Sequence, residues 1–304
     1  MRARAFLPLT SRRTSLTTIA VTGATGQLGR LVVAALLDRD VPAQHIIAAV
    51  RTPEKAADLA ARGVQVRYAD YAQPDTLTSA LEGAERVLLV SGTPGDRVFE
   101  HANVVDAAKQ AGVQLIAYTG VLNADTTTML LAADHQATEQ LIEDSGIPYA
   151  FLRNGWYTES YLMELEATLE HGFAGASGDG RFTPAARADF AEAAAAVLTD
   201  HAGATNVAYE LGGDQAVTMA EMAALLSRAA GRPVAYTDLP VEQYAGVLTG
   251  AGLPEPVAQV LADASAAIGR GELLTDSGDL QRLIGRPSTP VKETFEEAFA
   301  AQPV

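Results

Sequence analysis

Short apolar runs alternate with amphipathic segments along the first half of the chain. The apolar runs are typical of buried parallel strands, and the stretches between them have helical periodicity. The predicted strands cover 19–21, 45–51, 64–69, 86–91, 113–119 and 148–154, and the predicted helices cover 30–39, 53–62, 76–83, 98–111 and 130–144. Because this alternation builds right-handed crossovers, it predicts an α/β fold with a doubly wound parallel sheet of the Rossmann type.

The second half of the chain follows a different pattern. A strand at 206–211 is expected to return to the sheet, and most other segments have helical periodicity around the glycine-rich stretch 171–180. The further predicted helices cover 157–169, 188–199, 219–229, 241–250, 254–268 and 279–284. We therefore expect a dinucleotide-binding Rossmann core at 18–156 with a return segment at 186–212, and a smaller, mostly helical C-terminal substrate lobe at 157–185 and 213–304.

A glycine pattern, Gly23-x-x-Gly26-x-x-Gly29, follows the first predicted strand and leads directly into the first predicted helix. A side chain at either of the first two glycines would hold the backbone away from a bound pyrophosphate, and one at the third would push the helix off the strand. Free N–H groups at the helix start favour an anion. The predicted cofactor-binding turn comprises Gly23, Thr25, Gly26, Gln27, Leu28 and Gly29.

The end of the second predicted strand indicates which dinucleotide binds. An NAD site usually has an acid there to bind the ribose 2′-hydroxyl, but 45–51 contains no acid and ends at Arg51. A guanidinium suits a 2′-phosphate, and Lys55 lies one turn further along. The alternative is a solvated arginine at a helix entry. The sequence predicts NADPH as the cofactor.

Polar and small residues also follow the later strands. Asp70 and Tyr71 come where an adenine would lie, although an Asp in this position is as often a cap or turn residue. Hydroxyls and open backbone in Ser91-Gly92-Thr93 and Tyr118-Thr119-Gly120 would let the ribose and nicotinamide approach. The predicted cofactor contacts at these strand ends are Asp70, Tyr71, Ser91, Tyr118, Thr119 and Asn154.

Two candidates for catalysis and substrate binding lie further along. His135 has Glu139 four residues later on a predicted helix; it is a candidate proton donor, or else a surface or capping residue. Trp156 and Tyr157 follow Asn154 at the end of the sixth strand, where they would form a stacking surface for a flat substrate or simply seal the interface with the lobe. Tyr157 is a second candidate proton donor, and Asn154 would help to place the ring or the carboxamide.

The composition narrows the classes of function. A net charge of −15 repels phosphate-rich surfaces, so nucleic acid and anionic membranes are poor partners. The absence of cysteine excludes thiolate nucleophiles and Cys-ligated metals, and five histidines without paired spacing argue against any metal site. No apolar run reaches the length of a membrane span. We expect a cytoplasmic monomer or homodimer that binds a small molecule.

Residues 1–17 differ from the rest, with four arginines and no acid. A targeting leader is one interpretation, but the segment has no continuous apolar region and no small-residue cleavage site. We therefore expect a disordered extension outside the fold, ending where the first strand begins.

Several motifs together resemble one family. TGATGQLG, AAVRTPEKA with Arg51, the Asp70-Tyr71 pair, LIAYTGVLNAD, GIPYAFLRNGWYTESYL, ARADFAEAAA and LIGRPSTP are similar to the NmrA-like branch of the atypical short-chain dehydrogenase/reductases, above all to its NAD(P)H:quinone oxidoreductase members. The resemblance covers about residues 18 to 295 and is most specific in LRNGWY. It implies an NADPH-dependent reductase of quinones that works without flavin.

One departure from the wider superfamily limits the chemistry. The helix that usually carries Tyr-x-x-x-Lys has His135-Gln-Ala-Thr-Glu139 here, which argues against reduction of alcohol or sugar carbonyls. A quinone can be reduced without the Tyr-x-x-x-Lys pair, because it becomes aromatic on accepting a hydride and its proton can come from water, His135 or Tyr157. A non-catalytic NADP(H) sensor that binds a protein partner is the main alternative. An epimerase or isoflavone-type reductase would need a basic or hydroxyl residue in place of Glu139.

Overall fold

A computed structural model of the chain describes residues 17–92, 96–200, 202–203 and 205–300. The strands in these ranges are β1 (Ile19–Thr22), β2 (Ile46–Val50), β3 (Gln65–Tyr68), β4 (Arg86–Leu89), β5 (Leu115–Val121), β6 (Tyr149–Asn154), β7 (Phe173–Gly175), β8 (Arg181–Phe182), β9 (Val207–Leu211), β10 (Val217–Thr218) and β11 (Tyr236–Asp238). The helices are α1 (Gln27–Asp38), α2 (Ala57–Ala61), α3 (Pro74–Ala80), α4 (Arg97–Gln110), α5 (Ala132–Ser145), α6 (Leu165–His171), α7 (Arg187–Thr199), α8 (Met219–Ala230), α9 (Val241–Gly250), α10 (Glu255–Gly269), α11 (Asp279–Ile284) and α12 (Val291–Ala300). Residues 1–16 of the predicted extension lie outside the described ranges.

A parallel sheet forms the body of the protein, in the order β3-β2-β1-β4-β5-β6-β9. All residues of β1 and β2 are buried because helices cover both faces of the sheet. Helices α1 and α7 lie on one face, whereas α3, α4 and α5 lie on the other. The predicted doubly wound α/β fold is confirmed, including the return of β9 beside β6.

Helix ends follow the glycines in the sequence. Gly112 and Gly146 adopt left-handed φ angles of +71° and +75°, two residues after the end of α4 and one residue after the end of α5. The helix predicted over 157–169 is instead a 3-10 turn at Thr158–Leu162 followed by the short α6. Helix α12 was not predicted.

The lobe has its own core beyond the carboxyl ends of the strands. Phe182, Met222, Leu226 and Phe295 are fully buried there, and two small two-stranded sheets, β7 with β11 and β8 with β10, complete it. Helix α11 belongs by its contacts to the other unit, since Leu280 is buried in the cluster formed with α1 and α7. The predicted lobe range 213–304 therefore contains one helix that packs on the sheet body.

A polar connection ties α7 to the segment before α12. Asp189 in α7 is fully buried and accepts hydrogen bonds from the Arg286 guanidinium (2.7 Å), the Thr289 amide (2.6 Å) and the Thr289 hydroxyl (2.9 Å). Asp214 similarly accepts from the Ser288 amide at 2.6 Å. These bonds anchor the motif RPSTP across the boundary between body and lobe, because the fully buried Asp189 carboxylate would otherwise lack partners.

The described helices are short. The longest, α10, has 15 residues. None of the helices in the described ranges combines the length and the apolar character that a membrane crossing requires.

Candidate functional site: the cleft at the carboxyl ends of the strands

The glycine turn between β1 and α1 is tightly folded. Gly23 has a φ of +59°, and its carbonyl accepts a hydrogen bond from the Gly26 amide at 2.8 Å. A Cβ on Gly29 would lie 2.4 Å from the Gly23 carbonyl oxygen, and one on Gly26 would lie 3.1 Å from it. Within the described ranges no side chain caps the first turn of α1, so its amides keep their capacity to bind an anion.

The residues between the glycines differ in exposure. Gly23, Gly26 and Gln27 are exposed, and Thr25 is half-buried. Leu28 is buried in the core beneath α1, so only its backbone can contact a ligand. The turn therefore offers mainly backbone to the cleft, as a phosphate-binding turn requires.

Arg51 follows β2 directly and is exposed. Its guanidinium makes no hydrogen bond or ion pair with the described residues, and the same holds for the Lys55 ammonium. Arg30, from the first turn of α1, pairs with Asp58 and donates to the Lys55 carbonyl at 2.7 Å. The segment after Arg51 is thus tied to the glycine turn, while Arg51 itself keeps its donors for a ligand.

Asp70 and Tyr71, at the end of β3, are both engaged within the protein. The Asp70 carboxylate accepts from the Ala72 amide (3.1 Å) and the Gln73 side-chain amide (2.8 Å), so the geometry favours a turn residue over an adenine contact. The Tyr71 hydroxyl donates to the Val90 carbonyl at 2.9 Å and is bonded to the Thr22 hydroxyl. Burial raises the pKa of Tyr71. Its ring therefore braces the two strands that flank the crevice, β1 and β4.

The backbone after β4 is held by side chains. The Ser91 amide donates to the Thr119 hydroxyl at 2.8 Å, and the Gly92 amide donates to His101 Nε2 at 3.0 Å. Arg97 Nε donates to the Gly92 carbonyl at 2.9 Å. Thr93 lies outside the described residues. Arg97 and His101 are not among the site residues predicted from the sequence, although two basic residues four apart at the start of α4 could have indicated a shared face.

His135 and Tyr118 are buried beneath the cleft rather than in it. The Tyr118 hydroxyl is bonded to His135 Nδ1 at 2.7 Å, and Arg97 donates to His135 Nε2 at 3.3 Å. Burial, with the charge of Arg97, lowers the pKa of His135 to about 3. A neutral, enclosed imidazole does not favour the predicted role of proton donor. Tyr118 is fully buried and its hydroxyl is bonded to His135, so its side chain does not favour the predicted cofactor contact.

Glu139 is part of a buried ionic cluster. Its carboxylate accepts two bonds from the Arg153 guanidinium, at 3.0 and 2.8 Å. Arg153 also contacts Glu210 (2.8 Å) and Asp125 (3.2 Å). Burial raises the pKa of Glu139, and the bonds from Arg153 oppose that rise. An ion pair therefore occupies the place of the missing lysine and joins α5 to β6.

The last strand end carries an unusual polar atom. Asn154 is buried, and its Nδ2 donates to the Tyr157 hydroxyl at 3.2 Å, but its Oδ1 has no partner among the described residues. A buried acceptor without a partner is uncommon in a folded protein, and Asn154 Oδ1 keeps the capacity to accept one more hydrogen bond.

Trp156 and Tyr157 do not form one aromatic surface. The half-buried Trp156 packs against the lobe core, whereas Tyr157 packs edge-on against Phe190 of the sheet body, with ring centroids 5.2 Å apart. The Arg187 guanidinium lies 4.9 Å from the centre of the Tyr157 ring. The packing does not favour the predicted single stacking surface, because the two side chains belong to different cores. Much of the packing of Trp156 and Tyr157 agrees with the alternative prediction, in which they seal the interface between the sheet body and the lobe.

Comparison with known proteins identifies the family. Residues 15–278 match the NmrA-like family. The chain belongs to that family. The resemblance inferred from the sequence motifs is confirmed, and the match spans all seven strands of the large sheet and much of the lobe.

Individual relatives of this NmrA-like protein are similar over nearly their full length. Quinone oxidoreductase 2 of Escherichia coli (strain K12) is 48% identical over 283 residues, which cover 92% of this chain and 98% of the relative. The crystal structure of the NADPH-dependent quinone oxidoreductase from Escherichia coli complexed with NADPH matches with a TM-score of 0.88 and 48% identity, covering 92% and 99% of the two chains. The Citrobacter sp. triphenylmethane reductase complexed with NADP(H) matches with a TM-score of 0.85 and 44% identity, covering 92% and 99%.

Proposed function

We propose that this NmrA-like protein is an oxidoreductase in which NADPH reduces a quinone by two electrons, directly and without flavin. The glycine turn, Arg51 and the buried Asn154 provide three separate features for a phosphorylated nicotinamide dinucleotide along one edge of the sheet. The names of the relatives, an NADPH-dependent quinone oxidoreductase among them, support this function over a regulatory one.

Asn154 is the observation that carries the most weight. Its Nδ2 is used on Tyr157, so the free Oδ1 is suited to accept from the amide of a nicotinamide carboxamide. At the other end of the cleft, the backbone of the uncapped glycine turn suits a pyrophosphate and Arg51 suits the 2′-phosphate. When bound, NADPH supplies the hydride.

The described residues provide little acid catalysis, and a quinone needs little. His135 is neutral with a pKa lowered to about 3, and burial raises the pKa of Tyr157, so neither favours proton release at neutral pH. The hydride brings two electrons, and the aromatic ring formed stabilises the product anion. We therefore expect water to supply the proton that completes the hydroquinone. Trp156 and Asn154 would position the quinone ring.

The direct test measures NADPH oxidation by the purified protein with and without benzoquinone. We expect oxidation that depends on the quinone. If the protein binds NADPH tightly but reduces no simple quinone at any pH, the enzymatic proposal fails and a non-catalytic NADP(H) sensor with a protein partner takes its place.

Arg51→Ala should weaken NADPH binding by roughly 1.5–3 kcal/mol and leave NADH binding nearly unchanged, because the exposed guanidinium is free for a charge-assisted bond to the 2′-phosphate. Titration of both cofactors into the variant measures this difference. Arg62→Ala, at an exposed arginine after α2, is the matched control for loss of one positive charge. Equal losses for NADPH and NADH would show that Arg51 does not recognise the 2′-phosphate.

Trp156→Ala should raise the KM for quinone roughly tenfold, an effect of about 1–2 kcal/mol from lost stacking and burial. Because Trp156 also packs on the lobe core, the variant is compared with Trp156→Phe, which keeps an aromatic face. Steady-state kinetics at temperatures well below unfolding separate the two roles. A KM that is unchanged in the folded alanine variant would remove Trp156 from the substrate site.

His135→Gln should change kcat by less than about threefold and leave its pH profile unaltered, because the enclosed neutral ring is not the proton source. Glutamine keeps a polar partner for the Tyr118 hydroxyl. Rates measured between neutral and mildly acidic pH check this expectation. A loss of kcat of tenfold or more, with unchanged thermal stability, would restore His135 as the acid.

The cellular location, the oligomeric state and the partners of the protein remain predictions. We place the protein in the cytoplasm as a monomer or homodimer, with a small-molecule quinone as its partner and with no nucleic acid or membrane partner. The charge of −15 supports the exclusion of anionic surfaces.

A further inference from the structure

The backbone at Gly92 is clamped from both sides by helix α4. His101 accepts from its amide at 3.0 Å, and Arg97 donates to its carbonyl at 2.9 Å. Both residues are buried: the exposed fraction is 0% for His101 and 6% for Arg97. Gly92 lies just beyond β4, the strand beside β1, where the sheet order changes direction and ligands bind in open α/β folds.

The clamp fixes the protonation of its own histidine. Since His101 Nε2 accepts from the Gly92 amide, the neutral ring carries its proton on Nδ1 and donates it to the Thr138 hydroxyl at 2.9 Å. Thr138 in turn donates to the Asp134 carbonyl at 2.8 Å. The ring is therefore held between α5 and the loop after β4 in one tautomer.

A third residue of α4 holds the neighbouring loop. Asn103 Nδ2 donates to the Tyr71 carbonyl at 2.9 Å. The Tyr71 ring lies beside Gly92, since a Cβ on that glycine would be 3.9 Å from Tyr71 Cδ2. One helix thus fixes the backbone that follows both β3 and β4.

The burial of Arg97 is not explained by an ion pair. The nearest carboxylate, that of Asp134, lies 3.9 Å away, and the Arg97 side chain is only 7% exposed. One carboxylate at this distance offsets only part of the cost of burying a guanidinium, so Arg97 also depends on its bonds to the Gly92 carbonyl and His135. The buried guanidinium fixes the position of the Gly92 carbonyl, to which it donates at 2.9 Å.

These bonds determine which donors and acceptors the backbone at Ser91 and Gly92, which forms one wall of the cleft, can offer to a ligand. The amides of Ser91 and Gly92 both donate within the protein, to Thr119 and His101. The Ser91 hydroxyl accepts from the Thr119 hydroxyl at 3.3 Å, so these two positions keep the Ser91 carbonyl as an acceptor and offer no free N–H. Such a surface suits a sugar hydroxyl, which donates, better than a phosphate, which only accepts.

We propose that Arg97, His101 and Asn103 are positioning residues that shape this wall to bind a ribose of the dinucleotide. The proposal rests on the proposed function in so far as the cleft is taken as the NADPH site. It adds that affinity for the cofactor depends on three α4 side chains that need not touch it.

The test compares His101→Leu with His101→Gln. Leucine removes both hydrogen bonds, whereas glutamine keeps an acceptor for Gly92 and a donor for Thr138. We expect leucine to weaken NADPH binding about five- to tenfold in a fluorescence titration and to raise the KM for NADPH alike, with the KM for quinone within about twofold. Glutamine should restore most of the affinity. His45→Leu, which removes a histidine bonded to Thr18 at the opposite end of the sheet, is the control and should leave NADPH affinity unchanged.

The outcomes separate the two proposals. Wild-type protein that does not bind NADPH refutes the proposed function. Wild-type protein that binds NADPH, with equal affinity in folded His101→Leu, overturns the positioning role, and so does a glutamine variant as weak as the leucine variant. Should His101→Leu fail to fold, Asn103→Leu decides instead, since the same selective loss of NADPH affinity is expected there and its absence rejects the proposal.

Discussion

Replacing Arg153 by leucine should lower the free energy of unfolding by about 3–5 kcal/mol. The substitution leaves the buried carboxylate of Glu139 without the two bonds at 3.0 and 2.8 Å, and removes the counter-charge of Glu210 and Asp125. Three acids then face one another with no cation between them. Urea unfolding, followed by circular dichroism, measures the loss.

An exposed ion pair provides the matched control for this prediction. Arg282 pairs with Asp279 at 2.6 Å, but 61% of its side chain is exposed. Arg282→Leu should therefore cost no more than about 1 kcal/mol. The double variant Glu139→Leu with Arg153→Leu should be more stable than Arg153→Leu alone, because the unpaired buried charge is gone. If the two single arginine variants lose similar stability, the cluster does not stabilise the strand ends as described.

Acid should destabilise the protein strongly before most carboxylates titrate. Burial, with the charge of Arg97, lowers the pKa of both His101 and His135 from 6.5 to about 3. The folded state therefore resists protonation while the unfolded chain accepts it, so stability is complete above pH 6.5 and falls as the pH drops from there towards 3. Between pH 7 and pH 5 each histidine should cost about 2 kcal/mol, and the two together about 4 kcal/mol.

Histidine variants isolate this share of the acid sensitivity. Urea unfolding at pH 7 and pH 5 is compared between the wild type and the double variant His101→Gln with His135→Gln. The double variant should lose much less stability over this interval, although carboxylates such as Glu272, with a pKa lowered to about 2, still contribute in the same direction at lower pH. Equal losses in the two proteins would mean that the rings are protonated in the folded state.

Local patterns predicted the elements well, for a physical reason. A strand covered on both faces must be apolar throughout, and the runs that became β1 and β2 are. Gly112 and Gly146 ended α4 and α5 because a left-handed residue suits glycine. The glycine turn was predictable for the same reason, since the limits that Gly26 and Gly29 satisfy are set by a neighbouring backbone oxygen a few residues away.

The surroundings of the site residues were not predictable from local pattern. The hydrogen bonds of His135 come from Arg97, 38 residues earlier in the chain, and from the Tyr118 hydroxyl of β5. Glu139 could be recognised as part of an ion pair only once β6 placed Arg153 beside α5. Trp156 and Tyr157 are adjacent in sequence, yet the boundary between two cores separates their side chains. Each of these contacts joins distant segments, about which periodicity gives no information.

The buried Asp189 has a consequence for engineering chimaeras. The chain leaves the sheet body after β6, returns for α7 and β9, and returns again for α11, before Arg286 and Thr289 attach it to Asp189. A lobe exchanged between two family members at a single junction would therefore carry away α11 and the partners of Asp189. New substrate ranges should be sought by point substitutions on a retained lobe, or by grafts that transfer α7 and the RPSTP motif together.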